Sequence, residues 1–487
     1  MDRIREIAWR ACAGLHWLLL AGAYGRLVCK AFLDFSREWD FLAYHLPGAL
    51  ATYGLTSYTP EPRLVAVIAG FPPLPRVVAG ALVLATGRFS AAGALNVCAF
   101  CGLVAGLLWL YGRRLKLRWL LTALLGVPLF VLHLASGYVD LFAGCWLALA
   151  LAALSGLETG AKRPLASALL FTAAMALAML SKLQAWPVAV PIVAAGLWRL
   201  FALVRSDRLT RSRALAVASL LLLAAGAWPV RNLIVYANPV YPVEFPLAPR
   251  LFPNAVVTPD SSPSNLPIWL EAKPRPVRFL ASVAEWNRFH SGERYVWSLD
   301  QGARANPVTS PHNRLGGWFP WTIFWLALGS MAARRAGLVP GAALAAFLVA
   351  LALVSLLPQA NELRYWLFAP LALAIWTALG IERAGPLLRR ALSLSLVAGA
   401  LFVVVATRPF GIDARLPGEL APRAAREFWA QQEAQPSAAP VRICDKNPEG
   451  IFWSGPTFRE HRVIAAFSYE EPCEPTRTRN ERRGDPP

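Results

Sequence analysis

The chain has 487 residues, of which 56% are hydrophobic and only 16% charged, where a soluble globular domain carries about 25% charged residues. Many uncharged apolar runs reach the roughly 18 residues needed to cross a hydrocarbon layer about 30 Å thick, which excludes a string of soluble domains. The net charge of +19 does not indicate nucleic acid, because the basic residues sit in short clusters between apolar runs.

In chain order, segments suited to spanning a membrane lie at 11–33, 92–112, 119–136, 138–156, 164–181, 186–204, 214–236, 318–333, 338–357, 365–381 and 391–407, about eleven in all. The first follows Arg3 and Arg5 and contains the small residues Ala21, Gly22 and Ala23, as a signal peptide does. Its apolar run continues to Leu33, so it reads as an uncleaved first helix. Basic clusters fall after alternate spans: Arg113, Arg114, Lys116 and Arg118; Lys162 and Arg163; Arg205, Arg208, Arg211 and Arg213; Arg334 and Arg335; Arg383, Arg389 and Arg390. The positive-inside rule then predicts a cytoplasmic N-terminus and a C-terminal tail on the outer side.

Residues 63–86 are apolar, but Pro72, Pro73 and Arg76 interrupt them. A crossing here would invert every later loop, so the segment is expected to lie at the outer interface as one or two amphipathic helices. Three long polar pieces also fall outside: a first loop, 34–91; a Pro- and Asn-rich loop, 237–317; and the tail, 408–487, expected to form a small domain beyond Pro436 and Pro440. The division is thus a membrane domain, 1–407, and a small tail domain. Cys12, Cys29, Cys98, Cys101 and Cys145 lie in apolar runs and read as small core residues. Cys444 and Cys473, in the tail, are the one pair placed to form a disulfide in an oxidising compartment.

The first outer loop carries EWDFLAYHLP at 38–47, which sets Glu38, Asp40, Tyr44 and His45 at the mouth of the first helix. A carboxylate at a lipid–water interface can take a proton from an attacking hydroxyl or amine. At the same face fall Asp140 at the start of the fourth span, Lys182 at the end of the fifth, Arg231 and Asn232 near the end of the seventh, and Glu362 and Arg364 before the tenth. Ionisable residues in or beside spans are costly and mark candidate sites. Singly, each also reads as an interfacial anchor or a member of an internal ion pair. Acids and bases gathered at one face suit displacement of a phosphate-linked group. An acid activates the acceptor, and Lys or Arg neutralises the departing phosphate. The chain has no D-x-D, Walker, H-E-x-x-H or G-x-S-x-G motif, so no metal or cofactor is expected, although a divalent metal is not excluded.

Over roughly residues 10–405 the chain resembles the bacterial GT-C membrane glycosyltransferases, the protein-mannosyltransferase-like and aminoarabinose-transferase-like enzymes. The resemblance rests on EWDFLAYHLP, FPPLPRVVAGALVLATG at 71–87, SGYVDLFAG at 136–144, SKLQAWPV at 181–188, WPVRNLIVYANPVYP at 228–242 and ELRYWLFAPLAL at 362–373, in that order. It implies an all-α GT-C-like bundle of spanning helices, with interfacial helices in the first outer loop, in a bacterial inner membrane. It also implies an inverting hexosyl or pentosyl transfer from a polyprenyl-phosphate sugar to a cell-envelope acceptor on the periplasmic face. Asp40 would be the general base, and Lys182, Arg231 or Arg364 would face the lipid phosphate. The chain departs from many relatives in placing Phe41 directly after Asp40, where they carry Glu, which keeps Glu38 as a rival acid. The partners expected are the lipid-linked donor and membrane lipids, without nucleic acid. A polytopic secondary transporter or flippase of a lipid-linked or small polar substrate is the alternative reading. It is less favoured because such proteins carry their charges near the bilayer midplane.

Overall fold

A computed structural model describes residues 2–36, 38, 40–55, 62–158, 164–244, 250–252, 254–256, 270, 272–286 and 316–415. Of the tail it describes 419, 423, 426, 427, 430, 431, 441–444 and 463–466. The membrane part is built from helices. α1 (Asp2–Leu33) leads into a π-helical turn (Phe41–His45), α2 (Leu46–Thr52), α3 (Pro62–Gly70) and α4 (Leu74–Thr86). A 3-10 turn (Phe89–Ala94) precedes α5 (Leu95–Tyr111), and α6 (Leu117–Leu125), α7 (Pro128–Leu134), α8 (Asp140–Glu158), α9 (Pro164–Met179), α10 (Ala185–Arg205) and α11 (Arg211–Tyr236) follow. The remaining helices are α12 (Arg275–Val283), α13 (Pro320–Arg335), α14 (Gly341–Ser355), α15 (Phe368–Gly380) and α16 (Pro386–Thr407).

Each segment expected to span meets a helix, with one difference: 119–136 is broken. α6 and α7 meet at 96°. Val127 is extended just before Pro128, which opens α7 at a first-turn position where its missing N–H costs nothing. Six described helices are long and apolar enough to cross a membrane, or up to eight if each bent pair counts once. α9, α14 and α15 are shorter. Backbone that is not α-helical follows α9 and precedes α15: Lys182 sits in the turn after α9, and Arg364 in a 3-10 turn (Leu363–Trp366) before α15. Such backbone is tolerated at membrane depth where protein buries it or where it lines a cavity. Segment 63–86 forms two helices, α3 and α4, bent by 102° at Phe71–Pro73.

Helix α8 is the hub. Its Leu- and Ala-rich sequence is apolar on every side, the pattern of a helix with no polar face to present. Almost all of its apolar stretch is buried, whereas little of the corresponding stretch of α1 or α11 is. It packs on α5, α9, α10 and α15, while α13 lies along α15. The outward rows of α11, including Leu215, Leu222, Leu223 and Ile234, are exposed, as suits contact with lipid tails. Lys116 pairs with Glu382 at 2.7 Å, so the basic loops after α5 and after α15 share one end of the bundle. The candidate residues collect at the other end.

In the tail, β1 (Val441–Cys444) and β2 (Val463–Ala466) pair in parallel. Cys473 lies outside the described residues. Cys98 and Cys101 are free and exposed, and Cys145 is free and buried.

Candidate functional site

The loop after α1 is pinned to the α7–α8 loop. Ser36 Oγ accepts the Gly137 N–H at 2.6 Å and donates to Glu38. One turn on, the fully buried Phe41 ring lies over Gly137, where a Cβ would run into the ring. Only glycine lets the ring lie there, and the ring in turn sets the position of Asp40. Asn96, buried at the start of α5, donates through its side-chain nitrogen to the carbonyls of His133, Ser136 and Tyr138. This holds the α7–α8 loop from below.

Five of the predicted acids and bases meet here in three pairs. Lys182 donates to Asp140 Oδ1, a side chain with no exposure, and lies 4.1 Å above the Tyr365 ring. Arg364 pairs with Glu362 at 3.1 Å, donates to the Tyr365 hydroxyl at 2.9 Å, and covers the rings of Tyr138 and Tyr365 at 4.6 and 4.8 Å. Its Nη2 is 3.6 Å from Asp40 Oδ2, and the Asp40 side chain keeps 24% exposure. Asp40 thus faces a fixed cation while part of its side chain stays exposed. Glu38 is engaged by Ser36 instead.

Tyr44 and His45 line the same end. Their rings are 4.4 Å apart, and Tyr44 also meets Phe71. Burial and the Asp40 charge raise the Tyr44 phenol well above its ordinary range. Burial, helped by Lys182, Arg76 and Arg364 against Asp140, pushes the His45 imidazole down to about 3. Burial also pulls the Lys182 ammonium below the usual lysine range, against the pull of Asp140.

Arg231 and Asn232 belong to the α3–α4 corner. Asn232 donates to Gly70 O and Tyr241 O, both at 3.0 Å, and Trp228 adds a bond to Gly70 O at 2.8 Å. A Cβ on Gly70 would strike Pro242 and the Tyr241 carbonyl. Arg231 donates to Ala69 O at 2.9 Å and stacks on Trp228 and Tyr236. Beside it lies Arg76, which donates to Phe71 O at 3.1 Å. Burial and the Arg231 charge push Arg76 down to about 10. Among the described residues neither arginine forms an ion pair with an acid.

The ends of the second long loop close over Arg364. Ser282, after Phe279 on α12, donates to Asn361 O at 2.6 Å. Trp318 donates to Leu363 O at 3.1 Å, and Glu285 accepts the N–H groups of Gly317 and Phe319. Sequence reasoning did not select Arg76, Tyr138, Tyr365, His133 or Asn96. Tyr138 and Tyr365 lie inside motifs it quoted, whereas Asn96 carries no local signal. No group of three or more His, Cys, Asp or Glu side chains among the described residues is arranged to hold a metal.

The α-helical bundle, with its bent helix pair α3–α4 after α1, shares its fold with solved structures of one membrane protein. Among solved structures, ArnT from Cupriavidus metallidurans bound to undecaprenyl phosphate matches at TM-score 0.54 and 14% identity, over 93% of this chain and 86% of that one. The apo state of the same protein matches at TM-score 0.52 and 14% identity, over 94% and 87%. At this identity the likeness is one of fold. No family model matches the chain, and no curated protein matches its sequence.

Proposed function

We propose that this protein is an integral membrane glycosyltransferase that moves a sugar from a polyprenyl-phosphate donor to a cell-envelope acceptor at the outer, periplasmic face. The observation that carries the reading is the half-open Asp40 carboxylate, 3.6 Å from the buried Arg364 guanidinium, at one end of a bundle with the fold of ArnT. The lipid named for that structure, undecaprenyl phosphate, is the class of carrier proposed for this chain.

In the proposed reaction the acceptor O–H attacks the anomeric carbon. Asp40 takes the proton, the bond from that carbon to the phosphate oxygen breaks, and its electron pair leaves on the polyprenyl phosphate. The configuration at carbon inverts, as a single displacement requires. Negative charge grows on the phosphate, so fixed cations there lower the barrier. Lys182 is neutralised by Asp140, and Arg364 faces Glu362 and Asp40. Arg231 and Arg76 lie side by side without an acid paired to either among the described residues, which supports them as the phosphate-binding pair. Two like charges held together are stabilised by an anion between them. Asp140 and Glu362 are then supports for the cations, and Tyr44, His45 and Asn232 shape the site.

The test is a mass spectrum of lipid-linked sugars and envelope glycans from cells with and without the protein. One polyprenyl-phosphate sugar should accumulate when it is absent, and one glycan should lose a residue. Unchanged profiles of both overturn the reading. A reporter fused after Pro487 should be active only in the outer compartment, which tests the face.

A further inference from the structure

Several buried polar atoms beside the carboxylate–cation set have no hydrogen-bond partner among the described residues: both ring nitrogens of His133, Oδ2 of Asp140 and Nη1 of Arg364. They share one neighbourhood. His133 lies near the end of α7 with no exposure, its ring 5.6 Å from that of Tyr138. Tyr138 in turn underlies the Arg364 guanidinium at 4.6 Å. Asp140 follows Tyr138 by two positions and binds Lys182 through its other oxygen. The charges of Asp140, Arg364 and Lys182 all act on His133. The backbone here is not slack, because Asn96 ties three of its carbonyls. Buried polar atoms left without partners cost stability, and so many in one place is the pattern of a binding site.

We infer that His133, Asp140 and Arg364 together hold one water molecule, and that His133 is a positioning residue for Arg364. Arg364 Nη1–H donates to the water oxygen. The water donates one hydrogen to Asp140 Oδ2 and the other to the unprotonated nitrogen of neutral His133. One donor and two acceptors are the complement of a water that receives one bond and gives two. A sugar hydroxyl has a single hydrogen to give and would leave one acceptor unserved. The water fixes the end of the guanidinium opposite its Asp40 contact, and so fixes the direction from which Arg364 meets the proposed base.

The inference about His133 as a positioning residue rests on the transferase reading, whereas the water site does not, so the experiment has two arms. In the first, electron cryomicroscopy maps of the full chain in lipid nanodiscs are compared with and without undecaprenyl phosphate. Density is expected in both, about 2.6–3.2 Å from Asp140 Oδ2, Arg364 Nη1 and a His133 nitrogen. Its absence from maps that show other buried waters overturns the site. Density only with the added lipid assigns the atom to the ligand and overturns the water. The second arm measures sugar transfer from a lipid-linked sugar extract by His133→Gln and His133→Phe. His133→Gln keeps a donor and an acceptor and should retain kcat within about threefold. His133→Phe keeps the ring shape alone and should lose about tenfold or more in kcat, with KM within about twofold. Equal losses in both, or none in His133→Phe, overturn the positioning role. If the unaltered protein transfers no sugar, the transferase reading fails while the first arm still decides the water site.

Discussion

Replacing Asp40 by Asn separates catalysis from stability in a way the geometry makes quantitative. The carboxylate is 3.6 Å from Arg364 Nη2, where unit charges attract by roughly 1 kcal/mol in a water-like medium and about 5 kcal/mol at an effective dielectric near 20. Asp40 keeps 24% exposure, and Arg364 retains Glu362 at 3.1 Å, so the low end applies. The loss of stability should be about 1 kcal/mol or less. Asn keeps the shape of the side chain but cannot take a proton, so transfer should fall about a hundredfold to ten-thousandfold, or about 3–5 kcal/mol of barrier. The assay is sugar transfer from a lipid-linked extract, read beside thermal unfolding in the same detergent. A variant that unfolds near the wild-type temperature but has lost most activity matches the reasoning. If Asp40→Asn keeps more than a tenth of the activity, Asp40 is not the base; if Glu38→Gln is inactive at the same time, the roles are exchanged.

Arg76→Gln and Arg231→Gln should each weaken undecaprenyl phosphate binding by about tenfold or more, read by native mass spectrometry, since each removes a charge-assisted hydrogen bond; wild-type binding by both variants removes the phosphate assignment. Asp140→Asn strands the Lys182 ammonium in a buried site and should destabilise the fold by about 3–5 kcal/mol; adding Lys182→Met should restore much of that loss in thermal unfolding, and failure to restore it would count against the pair. His45 is held at about 3, below the roughly 6.5 of an unfolded histidine. Its contribution to stability is therefore present above pH 6.5 and is lost as pH falls from 6.5 toward 3. The wild-type unfolding temperature should drop through that window more steeply than that of His45→Asn, and equal slopes contradict the assignment. Gly137→Ala should drive Phe41 off its contact at a cost of about 1–3 kcal/mol and reduce transfer through displacement of Asp40; full activity would show that this contact does not set the base.

The one-dimensional pattern determined the membrane class, the approximate limits of the apolar helices and the local clusters around Asp40, Asp140, Lys182, Arg231 and Arg364. Hydrophobic length and charged punctuation are properties of contiguous residues, so they survive without a fold. The break of 119–136 into α6 and α7 was legible in principle at Gly126 and Pro128, but the length of the apolar run outweighed it. Tertiary structure alone decided the pairings. Lys182 meets Asp140 across 42 positions, and Arg364 reaches Asp40 because α8 brings the stretch before α15 against the loop after α1. That packing also turned Arg76, noticed in the sequence only as an interruption, into the neighbour of Arg231. It set His133 and Tyr138 beneath Arg364. A side chain's partners are chosen by which helices touch and at what rotation. Apolar runs of similar composition fit many such arrangements, so the choice is made by packing in three dimensions and leaves no periodic mark in the chain.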